Sequence, residues 1–114
     1  SKQSGYIDLS ELAIQDKEIN ELMDKVHELN SNVTSLDLDS NEITDVGAVI
    51  LGESLHDLHN LKILSLQDNN IGEEGALYVF ALKKDIEGLQ ICFRGNQITD
   101  PGKMYELEQR AVHT

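Results

Sequence analysis

Carboxylates stand at alternate positions in LDLD, so Asp37 and Asp39 leave an extended segment on the same side. Joined by Asp8 of YIDLS, they are hard oxygen ligands of the kind that hold a divalent cation. Yet DSNEITD at 39–45 lacks the dense Asp, Asn and Gly spacing of a calcium loop. HDLH sets His56 and His59 one helical turn apart, with His27 elsewhere. An i, i+3 pair without further ligands is a solvated helix face rather than a zinc site. Cys92 lies two residues from Arg94, whose charge favours a thiolate, but no histidine is placed beside it and no nucleophilic triad is indicated. No glycine-rich phosphate loop occurs. These residues predict no enzyme, no cofactor and no metal centre. The chemistry left to them is recognition by charge.

Composition points the same way. The 114 residues suffice for one domain with a modest core. Hydrophobic residues make up 39% but aromatics only 4%, with no Trp, so the core is built from Leu, Ile and Val, which suits repeated aliphatic layers. Nine Lys and Arg against 21 Asp and Glu give a formal charge of −12, which argues against nucleic acid and anionic membranes and for a basic protein partner. A single cysteine cannot form an internal disulfide, so a reducing, cytoplasmic compartment is expected. No apolar run of about 18 residues is present to span a bilayer. A first residue of Ser rather than Met suggests an excised or processed fragment.

The positioning elements come from a repeat. VTSLDLDSNEITDVGA (33–48), LKILSLQDNNIGEEGA (61–76) and GLQICFRGNQITDPGK (88–103) superimpose without a gap. Asn41, Asn69 and Asn96 recur in register, as do Ile43, Ile71 and Ile98, and Gly47, Gly75 and Gly102. A degenerate copy lies at YIDLSELAIQDKEI (6–19), with Leu12 where the asparagine belongs. Alternation in LDLD and LSLQ predicts strands, and EEGALYVFALKK predicts a helix. Where strand becomes loop, buried backbone groups lack ladder partners, and an amide supplies both donors and acceptors. Asn41, Asn69 and Asn96 are therefore expected to form a ladder, each bridging its own loop and the next. Leu12 marks the first unit as a cap. Thr44, Gly72 and Thr99 are the expected helix starts, each followed by an acid (Asp45, Glu73, Asp100) suited to the positive end of a helix dipole. Ala48, Leu51 and Leu55 in one helix, and Ala76 and Val79 in the next, are the expected inward faces.

The pattern LxxLxLxxNxI, followed by Gly and a helix, resembles leucine-rich repeats of the ribonuclease-inhibitor type, over roughly residues 6 to 112. The resemblance implies a right-handed α/β solenoid of about four strand–turn–helix units, with a parallel concave sheet and helices on the convex side. The cap unit would span about 4–32 and the repeats about 33–60, 61–87 and 88–114. It also implies non-catalytic protein binding through the concave face, as an inhibitor, adaptor or regulatory module. Short, acidic, cysteine-poor arrays further resemble effectors that intracellular bacterial pathogens inject into the host cytosol. The C-terminal YELEQRAVHT is similar to their translocation signals, and equally reads as an ordinary last helix.

In that architecture the outward strand positions form columns: Tyr6, Ser35, Ile63, Gln90; then Asp8, Asp37, Ser65, Cys92; then Ser10, Asp39, Gln67, Arg94; then Glu11, Ser40, Asp68, Gly95. Five acids (Asp8, Glu11, Asp37, Asp39, Asp68) face one base, Arg94, and like charges so close are not expected to serve stability. The expected partner is another protein with a basic patch, an enzyme among the options, gripped by Tyr6, Asp8, Glu11, Ser35, Asp37, Asp39, Ile63, Gln67, Asp68 and Arg94. The unbound chain is expected to be a monomer. The alternative is a structural fragment of a longer adaptor or receptor. It would bind through the convex helices, where Ile50, Tyr78 and Tyr105 occupy one column and Val49, Leu77 and Met104 flank it.

Overall fold

A computed structural model of the chain describes residues 5–29 and 32–114; the expected start of the cap unit at residue 4 lies outside them. Strand and helix alternate along the chain. The strands are β1 (Tyr6–Asp8), β2 (Ser35–Asp37), β3 (Ile63–Ser65) and β4 (Gln90–Cys92). The helices are α1 (Ile19–Glu28), α2 (Asp45–Ser54), α3 (Glu73–Phe80), α4 (Leu82–Asp85) and α5 (Pro101–Val112). The strands pair in parallel in the order β1-β2-β3-β4, with Tyr6, Ser35, Ile63 and Gln90 in one row and Asp8, Asp37, Ser65 and Cys92 in another, as the columns predict. Between these rows Leu36 and Leu64 are fully buried. Together with Leu38, Leu66, Ile43, Ile71, Leu51 and Leu55 they form one continuous aliphatic core under the helices.

Past each strand the ladder continues. Leu9, Leu38 and Leu66 donate to Asp37, Ser65 and Cys92, and Glu11, Ser40 and Asp68 donate to Asp39, Gln67 and Arg94. The column Glu11, Ser40, Asp68 and Gly95 is therefore not an outward strand row, as expected, but a turn. Its residues have φ of 58°, 59°, 58° and 87°, the left-handed region. Every unit turns on this residue, and three of the four bear a side chain at a cost of about 1 kcal/mol each.

The asparagine ladder forms, but in the opposite direction from that expected. Each amide reaches back to the preceding unit rather than forward. Asn69 accepts from Ile43 N–H (3.0 Å) and donates to the carbonyls of Leu38, Leu66 and Gln67. Asn96 accepts from Ile71 N–H (3.0 Å) and donates to Leu66 and Phe93. Asn41 accepts from both Leu12 and Ile14 N–H and donates back to Leu9. Leu12 breaks the column: it is 58% exposed and carries no amide, so the ladder runs through Asn41, Asn69 and Asn96.

At the helix starts the side chains reach the other way, carboxylates of one unit serving the helix of the next. Thr44 caps α2, accepting from Val46 N–H. The carboxylate of Asp16, from the preceding unit, takes both the N–H and the hydroxyl of Thr44. One unit on, Asp45 accepts from Gly72 N–H (2.6 Å) and Gly75 N–H (3.1 Å), so it serves α3 rather than the helix it begins. The third start falls one residue late. Asp100, not Thr99, is the cap, accepting from Gly102 N–H. Pro101 occupies the first helical position and forces the residue before it out of the helical region; Asp100 has ψ of 118°. The single helix expected over EEGALYVFALKK is interrupted at Ala81, where Lys84 N–H bonds to Ala81 at a one-residue shorter spacing. YELEQRAVHT lies largely in α5, with Leu107 and Ala111 buried in the core, so it folds as a last helix.

Units one and two are also joined by charge. His27 Nδ1 faces the Met23 carbonyl (2.8 Å) and Nε2 faces Asp57 (3.0 Å). Both neighbours only accept, so the doubly protonated ring is the form that satisfies both. Burial alone would lower the His27 pKa, but the Met23 carbonyl and the Asp57 carboxylate together raise it above 6.5. Asp57 is lowered below 3.8 by its hydrogen bond to His27. A raised histidine stabilises fully below its unfolded pKa and loses that contribution as pH rises through the folded one. A depressed carboxylate loses its contribution as pH falls through its own folded pKa. The pair is thus most effective between about pH 4 and about pH 6.5. The thermal stability of the wild type should exceed that of His27→Gln in this window, and the gap should close as pH rises toward about 8. A gap of constant size would mean that the pair carries no titration-linked stability.

Candidate protein-binding face

The sheet face turned away from the helices carries the residues expected to bind. Tyr6 and Ile63 are exposed there, at 42% and 38%, in the same row with Ser35 between them. Asp8, Glu11, Asp68 and Arg94 are exposed, while Ser35, Asp37, Asp39 and Gln67 are half-buried. The face is a contiguous surface with two apolar points and a carboxylate-rich strip. Its chemistry suits a cationic, partly apolar partner surface.

The acids divide into two kinds, a distinction their spacing does not show. Asp8 Oδ1 accepts from the hydroxyl of Ser10 (2.6 Å) and its N–H (3.0 Å), and these bonds hold its carboxyl below the usual carboxylate range. Asp37 accepts from Asp39 N–H (3.0 Å) and weakly from the Tyr6 hydroxyl (3.4 Å). Asp39 takes the Ser65 hydroxyl (2.6 Å) and Gln67 N–H (2.8 Å), tying β2 to the turn after β3. The expectation that these charges do not serve stability is therefore corrected for Asp8, Asp37 and Asp39. They close the turns, accepting N–H groups that the ladder leaves over. Glu11 and Asp68, by contrast, make no side-chain hydrogen bond or ion pair among the described residues. Tyr6 has its hydroxyl pKa raised by partial desolvation and by the negative field of Asp8, Asp37 and Asp39, so the phenol stays a neutral donor.

The same hydrogen bonds spread the three aspartates over separate partners. Among the described residues, no His, Cys, Asp and Glu side chains form a group of three or more able to hold a metal ion. Cys92 is half-buried in its row, less open than an outward strand position predicts. His56 and His59 are exposed. His27, which the HDLH motif draws attention away from, is the histidine paired with a carboxylate, Asp57.

On the helical side, Tyr78 and Tyr105 are 43% and 67% exposed, while Ile50, Val49, Leu77 and Met104 are half-buried between helices. Val46, 62% exposed in the first turn of α2, extends this apolar surface and was not singled out by the column pattern.

Comparison with known proteins agrees with this architecture. A sequence model described as leucine-rich repeat matches residues 29–52 and 57–80. No curated protein sequence matches. Among solved structures, the fold is similar to "Leiomodin-1 Actin-Binding Site 2 (ABS2)", with a TM-score of 0.77 at 17% identity over 94% of this chain. This chain spans 62% of the length of that neighbour. At such identity the likeness is one of fold. Four parallel strands, each followed by a turn and helix, make this chain a short leucine-rich-repeat solenoid.

Proposed function

We propose that the chain is a non-catalytic protein-binding module of the ribonuclease-inhibitor repeat type. Its open sheet face grips a basic surface patch on a partner, an enzyme among the options, and modulates that partner as an inhibitor or effector would. The observation that carries this reading is the pairing of exposed Tyr6 and Ile63 with carboxylates that the fold leaves free, Glu11 and Asp68. A specific complex covers about 800 Å² on each side, most of so short a sheet. The −12 charge would speed encounter and make it salt-sensitive. The unbound chain is a monomer in a reducing, cytoplasmic compartment, as its single cysteine suits. The actin-binding site that shares this fold makes actin one partner to assay directly, although fold alone relates the two proteins.

The test begins with affinity capture using this chain as bait, with actin co-sedimentation alongside it. Asp37 and Asp39 are poor choices for charge reversal, because their hydrogen bonds hold the turns. Glu11→Lys with Asp68→Asn leaves the fold intact and should weaken binding at least about tenfold, as should Tyr6→Ala with Ile63→Ala. A second reading, in which the chain is a structural fragment of a longer adaptor, rests on the exposure of Tyr78 and Tyr105. If Tyr78→Ala with Tyr105→Ala abolishes binding while both sheet-face pairs leave it within about threefold, the helical side carries the function.

A further inference from the structure

Helix α2 is apolar on two faces. Ala48, Leu51 and, at its C-cap, Leu55 are fully buried in the core. Val46, Val49 and Ile50 make a second stripe at the i, i+3 and i+4 spacing of one helix face, with Val46 62% exposed and the other two half-buried. A helix that is apolar all round has its outer face covered as well. Helix α1 does not share the feature: its exposed positions are Asn20, Glu21, Asp24, Lys25 and Glu28. Nor does the fold ask for it. The repeat position of Val46 holds Lys17, Glu74 and Pro101 in the other units. Between α2 and α3 the stripe borders a groove of about 330 Å³, lined by Asp45, Val46, Val49, Ile50 and Glu74. The groove lies inside the array, with α1 packed on the far side of α2 and α5 on the far side of α3. Stacked units follow one another along the array and leave this groove open, whichever unit precedes or follows.

We infer that this groove is an interaction surface for a basic amphipathic helix of a partner protein. Shape and charge together define the occupant. From Val46 to Glu53 the stripe runs two turns of α2, about 10 Å, which matches a helix that lays apolar residues at i, i+3 and i+4 into a groove. The charge around it has one sign. Helices α2 and α3 carry Asp45, Glu53, Glu73 and Glu74 and no basic residue. Asp45 is taken up by Gly72 and Gly75 N–H, and Glu73 faces Lys103 at 3.6 Å. Glu53 and Glu74 are exposed and make no side-chain hydrogen bond or ion pair among the described residues. Lys or Arg at the two ends of the partner's apolar stripe would meet both. A second copy of this chain does not fit, since it brings a charge of −12 to an acidic rim. The inference concerns the helical side and stands whether or not the sheet face binds.

The test uses this chain and, as probe, a synthetic Ala-rich peptide of about 18 residues, long enough to be helical. Its Leu residues lie on one stripe, bracketed by Lys two turns apart. A control peptide has the same composition with Leu spread around the helix. Residue-resolved NMR should show the probe shifting Val46, Val49 and Ile50 and leaving the sheet face unmoved, and the control should bind at least about tenfold more weakly. Val46→Glu is the deciding variant. It adds an acid, so charge attraction alone would tighten binding, whereas loss of the apolar contact should weaken it at least about tenfold. Glu74 at the equivalent position shows that the fold accepts the change. Glu53→Gln with Glu74→Gln should weaken binding at least about threefold and flatten its salt dependence. The inference is overturned by equal binding of the two peptides, by unchanged affinity in either variant, by shifts centred on the sheet face, or by no shift up to about 1 mM peptide. Concentration-dependent shifts at Val46 without peptide would make a second copy the occupant and overturn it equally.

Discussion

Replacing Asn69 with leucine is expected to lower the melting temperature by about 10 °C or more, the largest effect of any single polar side chain in the molecule. The reason lies in which partners have a substitute. The carbonyls of Leu38 and Leu66 also accept from Asn41 and Asn96, and the Gln67 carbonyl also accepts from Ser40 N–H. Each keeps one bond when Asn69 is lost. Ile43 N–H has only the Asn69 oxygen, and Ile43 is fully buried. One orphaned donor costs about 1–3 kcal/mol, and the lost secondary bonds bring the total to about 2–4 kcal/mol. Asn69→Asp gives no relief, because it keeps an acceptor for Ile43 but turns a carboxylate oxygen toward three carbonyls. The control is the adjacent Asn70→Ala. Asn70 is exposed and accepts only from the Gln97 side chain, so its loss should cost under about 0.5 kcal/mol. Thermal unfolding of the three variants checks this. An Asn69→Leu melting temperature within about a degree of wild type would show that Ile43 finds another partner.

The ladder also shows how far the sequence could be read. Three gapless copies fix strand register, inward face and helix position together, because a one-residue slip would turn every aliphatic side chain outward. What the copies cannot fix is direction and partner choice. An asparagine column predicts bonding between units; only the turn backbone decides that the amides reach back. Asp39 and Asp68 look alike in sequence. The first lies where Gln67 N–H leaves the ladder and becomes structural, while the second sits on a left-handed turn with its carboxylate free. Gly95 in the column with Glu11, Ser40 and Asp68 was the available sign that this position is a turn. Pro101 likewise announced that the last helix would start late, since the residue before a proline resists the helical region.

That late start gives the second large effect, a reversal of sign between equivalent glycines. Gly75 lies inside α3, where exchanging glycine for alanine ordinarily stabilises a helix by up to about 1 kcal/mol. Here a Cβ would lie 2.6 Å from Asp45 Oδ1, 2.7 Å from Ile71 Cγ2 and 2.9 Å from the Cβ of Ala48 on α2. The helix would have to move off its neighbour, and Asp45 would be pushed from Gly72 and Gly75 N–H, which it caps. Overpacking of this kind costs about 1–3 kcal/mol and outweighs the propensity gain. Gly75→Ala should therefore destabilise. Gly102 is the same repeat position one unit later, but the one-residue delay at Pro101 leaves it exposed, with Asp100 Oδ1 at 3.6 Å as the nearest atom to a new Cβ. That is ordinary contact, so Gly102→Ala should stabilise by up to about 1 kcal/mol. Denaturant midpoints of the two variants, measured at equal slope, should move in opposite directions from wild type. Movement in the same direction would mean that contact with the preceding unit is not what requires glycine at position 75.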